Sequence, residues 1–436
     1  MRLEHPAKSA ALVRRIPWVP APLVLAVLAV GDPASAGVWK GQETTENGVV
    51  HIQNPAEAVD KPITVTLKEQ WRVGGESEDE GELFGLITDI GVHPSGEVYL
   101  VDRQLSEVKV FSKSGGFLRT IGREGEGPGE FRRPGDVFFD PDGNLGVVQT
   151  QPSRVVMFKP DGTPAAPFNL PSPESGGFNM LQGVIYRGGS LVLQGGNFRM
   201  AEGSVDRTNA LVRIDRQGTE LARFTEMTST SNMARMVIKE DEFGYLWTVG
   251  PQGDVYASLD RTWKLQVWDP SGKLQRIVTL DYKPVMRTGD EIEKRKKALG
   301  SRIQIRGARG RIEPEFEISD RDRDIRWFSV ADDGHIWVLS SRGVRDLPAG
   351  TIGNLDVFDP QGRYLQRVTW KGDCDFEEDR LVLAGDRIFV IKQFEAALRA
   401  MSGREGGEAE AADAAAVPMS VICYDLQWTK GGAAVR

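Results

Sequence analysis

Two patterns that recur together six times predict an all-β fold, a six-bladed propeller of four-stranded antiparallel blades. The first is a bulky residue with glycine four positions later: Phe111…Gly115, Phe158…Gly162, Ile214…Gly218, Trp268…Gly272 and Phe358…Gly362, with Tyr424 in a sixth such context and Trp428 in place of the glycine. Three of these turns read Asp-Pro-x-Gly or Lys-Pro-x-Gly, which closes a hairpin. The second pattern precedes each bulky residue. It is a turn residue followed two positions on by an aliphatic: Gly96/Val98, Gly143/Leu145, Gly189/Leu191, Gly244/Leu246, Gly334/Ile336 and Asp386/Ile388. The stretches that follow, such as "EVYLVD", "YLWTVG", "HIWVLS" and "RIFVIK", are rich in β-branched and aromatic residues and read as strands.

Taken from the N-terminus, the chain first shows Arg14 and Arg15, an apolar run Leu23–Val30 and Ala34-Ser35-Ala36. Positive flank, short apolar core and small-residue site together predict a secretory signal peptide over residues 1–36. The run is too short to cross a bilayer as a helix, which takes about 20 apolar residues. Cleavage after Ala36 would leave Gly37 first, and with no cysteine there a lipid anchor is disfavoured. A periplasmic or secreted location follows. The segment carries four basic residues and two acidic ones, so its removal takes 54 and 62 to 50 and 60 and leaves a net charge of −10. Such a surface repels nucleic acid, which is excluded as a partner.

Residues 37–60 form an N-terminal extension, and the propeller is expected over 61–428, ahead of a short tail at 429–436. Ile63, Val65, Leu67, Trp71 and Val73 alternate with polar residues as one half-buried strand should. Blade six has only three strands at the C-terminus, so this N-terminal strand is expected to complete it and close the ring. Two insertions interrupt the pattern. Residues 400–416, "AMSGREGGEAEAADAAA", read as a disordered loop. Residues 284–324 contain a short helix, announced by the capping box Thr288-Gly289-Asp290-Glu291.

The first two units align closely, with Val73-Gly74 over Ile121-Gly122 and Gly81-Glu82-Leu83 over Gly129-Glu130-Phe131. The stretch "GEGPGEFRRPGDVFFDPDGNLGVV", followed by "SRVVMFKPDG", resembles the NHL-repeat and related bacterial six-bladed β-propellers. The resemblance spans about Ile63 to Leu426 and implies the fold. It does not imply one function, because such propellers include binding scaffolds, lyases and hydrolases. In the enzymes, metals sit at the central channel.

Gly122, Gly125, Gly127 and Gly129 have the density of a phosphate-cradling loop. A phosphate loop, however, leads into a helix and carries a basic residue near its end. This one leads into a strand and carries Glu124, Glu126 and Glu130, so it is expected to be a crossing between blades.

Counting seven residues back from each turn position places Asp89, Asp136, Gln182, Val237, Trp327 and Asp379 at the start of the innermost strands, with Arg326 and Glu378 beside them. The carboxylates Asp89, Asp136 and Asp379 could hold a divalent cation such as Ca²⁺ through oxygen ligands. They could equally be channel-mouth groups satisfied by backbone amides. The three histidines beyond residue 36 are too scattered for a His-rich metal site. No cofactor is expected beyond that cation. No Gly-x-Ser-x-Gly elbow is present, and neither His93 nor His335 has an evident serine partner. Cys374 and Cys423 are compatible with a disulfide in an exported protein.

Between Lys294 and Arg311 stand eight basic residues and no acid: Lys294, Arg295, Lys296, Lys297, Arg302, Arg306, Arg309 and Arg311. This arm is read as an internal lid over the acidic loops "GESEDEGE" and "REGEGPGE", in preference to a docking site for an anionic surface. The sequence thus predicts an exported, monomeric binding scaffold acting through one loop face, with a protein or carbohydrate partner. The alternative is a cation-dependent hydrolase or lyase at the channel.

Overall fold

The turn-and-strand units fold into six sheets set around a central channel, in a computed structural model that describes residues 37–425 except 167, 171, 176, 202, 233–235, 242–243, 303–304, 308–309, 313, 385–386 and 407–417. The signal-peptide segment, Asp386, Trp428 and the C-terminal tail therefore lie outside the described residues. Blade one shows the plan: Ile87–Val92, Val98–Asp102, Glu107–Phe111 and Phe117–Ile121, antiparallel from the channel outward. Blade two has three strands, Pro134–Phe139, Leu145–Gln149 and Arg154–Phe158, with a bridge from Val155 to Phe168 in the fourth place. Blade three, from Met180 to Asn232, is built of longer strands than its neighbours. Its second and third strands are Ser190–Ala201 and Ser204–Ile214.

The bulky residue of the first repeat occupies one position in every blade. Phe111, Phe158, Ile214, Trp268, Phe358 and Tyr424 each pair with the first or second residue of the second strand, for example Val98 with Phe111 and Leu191 with Ile214. All six are buried. The glycine of the turn that follows has a positive φ, and at Gly362 (φ 92°) a Cβ would also lie 2.5 Å from Val278 of blade four. No other residue fits there.

Ring closure comes from the N-terminal side as expected, with one division. The alternating segment is two strands, β3 (Ile63–Thr66) and β4 (Lys68–Gly74). β4 pairs antiparallel with Ser420–Asp425 and completes blade six, whereas β3 pairs parallel with Tyr364–Lys371 as a fifth strand of blade five. The break falls at Leu67, whose amide donates to the Lys371 carbonyl at 2.8 Å. Upstream, β1 (Gln42–Glu46) and β2 (Val49–Asn54) form a hairpin, and β2 runs parallel to Leu274–Leu280 on the outer edge of blade four. One N-terminal ribbon therefore covers the outer edges of blades four and five, then closes blade six. Covering a strand edge blocks pairing with other chains.

The register of blade four differs from the expectation. Its innermost strand is Leu246–Val249 and its second is Val255–Ser258, joined through Gly250 and Gly253. "YLWTVG" is thus the first strand, and the turn residue that matches Gly96 is Gly253. Val237 belongs to a short strand, Val237–Lys239, which pairs parallel with Glu315–Glu317 of the insertion. It is not at the channel.

The capping box is made: Thr288 N donates to Glu291 at 2.7 Å and Glu291 N to Thr288 Oγ1 at 3.3 Å. It opens α1 (Gly289–Arg302). The loop read as disordered from residue 400 is helical to its midpoint, because α2 runs from Phe394 to Gly406. Phe394, Ala397, Leu398 and Met401 pack on the core between blades six and one. That is the i, i+3, i+4, i+7 spacing of a helix face.

The disulfide does not form. Cys374 and Cys423 are not bonded to each other. Alternation along the last strand explains it: Cys423 faces the core shared with blade one, whereas Tyr424 faces the core shared with blade five, where Cys374 packs. Burial pushes the Cys374 thiol up to about 12, which leaves it protonated.

Candidate functional site

The glycine-rich loop turns a corner, and it holds an anion of its own. Gly122, Gly125 and Gly129 have positive φ, and a Cβ on Gly122 would lie 2.2 Å from the Phe131 ring. Glu130 folds back so that one carboxylate oxygen accepts the Gly127 amide at 2.9 Å and the other accepts Arg123 Nε at 2.8 Å. The cradle is filled by the chain itself.

At the channel the structure brings Asp89 and Asp136 together. Asp89 accepts the Val137 amide at 3.0 Å, and Asp136 accepts the Val184 amide at 2.9 Å. Each carboxylate thus ties its blade to the next. Both are half-buried by exposed area, yet they lie deep in the wall of strands, and depth sets the desolvation. Burial raises both above the usual carboxylate range, and the charge of Asp89 adds to the rise at Asp136, which reaches about 7. Arg380, at the head of the innermost strand of blade six, opposes the rise at both. Gln182, the corresponding residue of blade three, turns away, its Oε1 accepting from Gln194 at 2.8 Å and Asn209 at 2.6 Å.

Asp379 is not with them. It accepts the amides of Asp375 and Gln393 at 2.7 and 2.9 Å and pairs with Lys392 at 2.7 Å, which fixes the loop before blade six. The blade-six channel residue is its neighbour, Arg380. Among the described residues no group of three or more His, Cys, Asp or Glu side chains is arranged to hold a metal ion. His93 does have a serine in reach, Ser95 at 2.8 Å, but the two share one hairpin turn.

Arg326 and Glu378 belong instead to a cavity of about 680 Å³ above the leading ends of the innermost strands of blades four, five and six. One face of α1 walls it with Glu291, Lys294, Arg295 and Ala298. Eight acidic and eight basic side chains line it. Glu240 is the hub, accepting from Arg287 at 2.7 Å, from Arg295 at 2.8 Å and from Arg261. Burial alone would raise its pKa, but the Arg287 hydrogen bond and the charges of Arg261 and Arg287 bring it down to about 2. Asp322 bridges Arg287 at 3.0 Å and Arg326 at 3.3 Å. Arg326 also reaches Glu377, Arg345 holds Glu291 at 2.7 Å, and Arg399 of α2 holds Glu378 at 2.9 Å.

The acid that α1 meets through Arg295 is therefore Glu240, rather than the acidic loops of blades one and two. Lys294, Lys296 and Lys297 are exposed. Arg309 lies outside the described residues, as do the side chains of Arg302, Arg306 and Arg311. Sequence reasoning missed Glu240, Arg261, Arg287, Arg323 and Arg345. One signal was available: "SDRDRDIRW" alternates acid and base immediately before a strand, in a chain with no other such run.

Comparison with known proteins adds the following. Residues 77–183 match the model of the DUF5128 family, described as a 6-bladed beta-propeller. No curated protein matches the chain. Among solved structures, a Bacteroides fragilis protein described as exported is 12% identical, covering 85% of this chain and 99% of its own, with a TM-score of 0.47. Virginiamycin B lyase from Staphylococcus aureus is 11% identical over 82% of this chain and 99% of its own, with a TM-score of 0.38. A gluconolactonase from Xanthomonas campestris is 11% identical over 82% and 98%, also with a TM-score of 0.38.

Proposed function

We propose that this chain, exported by its first 36 residues, is a binding scaffold whose site is the cavity beside α1. The observation that carries this reading is the cavity itself. At about 680 Å³ it lies within the range of about 300–1,000 Å³ usual for small-molecule sites, and its charged lining is already locked in place by ion pairs. Preorganised polar groups bind without a fresh ordering cost. The lining contains no histidine or cysteine, and its one hydroxyl, Ser341, shares a hydrogen bond of 2.7 Å with Tyr282. That inventory supports binding over serine- or cysteine-type nucleophilic chemistry. The channel supports the cation-dependent alternative less well, because Asp89 and Asp136 already hold backbone amides and share the positive charge of Arg380.

The reading is tested by a thermal-shift screen of water-soluble metabolites against the wild-type chain and an Ala298→Trp variant. Ala298 lines the cavity from α1, so the indole fills the space. Compounds that stabilise the wild type and not the variant would support the cavity as the site. Stabilisation that survives the substitution would move the site elsewhere.

A further inference from the structure

We propose that the ligand of this cavity is a small oxyanion, a carboxylate or a phosphate, held between Arg323 and Lys294. The proposal rests on the binding reading above and narrows it to a chemical class. Six of the eight basic side chains around the cavity have a carboxylate partner, and among the described residues Arg323 and Lys294 have none. Arg323 stands between Asp322 and Asp324, yet both of these turn to other arginines, Asp322 to Arg287 and Arg326 and Asp324 to Arg321. Its Nε and Nη2 are closed off from solvent with no acceptor, which leaves Nη1 as the nitrogen open to the cavity.

A guanidinium taken out of water without a counter-ion is costly, and natural structures seldom leave one so. Burial lowers the Arg323 pKa, but arginine stays charged in proteins. The charges of Asp241, Asp260 and Glu240 favour it from a distance, but each is paired elsewhere, Asp241 and Glu240 with Arg261 and Asp260 with Lys264. Lys294 projects from the α1 wall into the same space. The lining as a whole is charge-balanced, but the two remaining acids, Asp346 and Glu395, make no ion pair with Arg323 or Lys294, so among the described residues these two cations stand without direct counter-ions. An oxyanion at Nη1 supplies the counter-charge that this guanidinium lacks, and charge-assisted contacts of this kind are about twice as strong as neutral ones.

The test is titration calorimetry of the whole mature chain at low salt with four probes: inorganic phosphate, succinate, erythritol and putrescine. The last three share a four-carbon body and differ in charge. Binding of succinate or phosphate, with erythritol and putrescine silent, is expected. Which of the two binds more tightly separates a carboxylate from a phosphate site. Arg323→Gln should weaken anion binding about tenfold or more, and the exposed Lys294→Gln about threefold. Arg323→Lys keeps the charge and should retain part of the affinity, which separates loss of the contact from misfolding. Anion binding that ignores both Gln substitutions would overturn the proposal, as would silence from both anions at millimolar concentration. Should erythritol or putrescine bind instead, and Ala298→Trp abolish it, the cavity remains the site and only the anion class is lost.

Discussion

Asp89 on the innermost strand of blade one accepts the amide proton of Val137 on the innermost strand of blade two, at 3.0 Å. One blade on, Asp136 accepts from Val184 in the same way. A carboxylate placed at the channel would ordinarily seek water or a cation. Here each is drawn into the wall as a stitch between blades, and the strand pairing of a propeller supplies none of its own across that gap.

The stitch makes stability depend on pH. Asp136 rises from an ordinary 3.8 to about 7 in the folded chain, through burial and the charge of Asp89. Between those values the folded state binds more protons than the unfolded one, so stability falls as pH rises through this window. Asp136→Asn keeps an oxygen for the Val184 amide and removes the charge. It should flatten the melting profile between pH 4 and pH 7 and stabilise the chain at pH 8 by about 1–2 kcal/mol. An unchanged profile would mean that both carboxylates are fully hydrated.

The blades were legible because each repeats one buried bulky residue, in five of the six with a turn glycine four positions later, a signal set by strand pairing alone. Blade four slipped because "YLWTVG" has the composition of a second strand, and only the pairing of Leu246 with Ser258 fixes it as the first. β2, "VVHIQN", carries no clean alternation, since it lies on a blade edge and its last residue is a buried asparagine. That residue, Asn54, donates to the Thr279 and Gly362 carbonyls at 3.0 and 2.8 Å and accepts from the Tyr364 amide at 2.7 Å. The cavity was the least legible part. Glu240, Arg261, Arg287 and Asp322 come from separate loops, and no spacing in the sequence announces that three guanidiniums converge on one carboxylate.

Removing β4 should open the ring. Among the described residues, its pairing with Ser420–Asp425 is the one sheet contact that joins the start of the propeller to blade six, and Trp71 and Val73 are buried there. A chain beginning at Gly75 should lose cooperative unfolding in a calorimeter. If it melts as the mature chain does, the closure by β4 is not what holds the ring.

The equivalent positions between blades should show their burial in energy. Phe158 meets Phe131 edge-on at 6.1 Å, and Phe358 lies 5.0 Å from both Trp263 and Tyr364. Truncating either to Ala should cost about 3–5 kcal/mol by chemical denaturation. A loss under about 1 kcal/mol at both would contradict their shared place in the repeat.

The basic arm gives the last prediction, since its charges repel one another unless acids lie close. Arg295 finds Glu240 at 2.8 Å, while Lys294, Lys296 and Lys297 stand exposed on the same helix. If α1 serves as a wall of the cavity, changing these four residues to Gln should free it from Glu240 and expose residues 284–302 to protease. Acid alone should do little until pH approaches 2, because the depressed Glu240 pKa contributes stability that is present above about 4.5 and lost only as pH falls through about 2. The docking alternative makes the opposite forecast for an anionic matrix. It requires the wild type to be retained at physiological ionic strength, where charges more than about 8 Å apart are screened, and the Gln variant to pass through. With a net charge of −10 on the chain beyond residue 36 and Arg295 already turned inward, the wild type should pass through as well. Retention that disappears in the Gln variant would show that the exposed lysines face a partner rather than water.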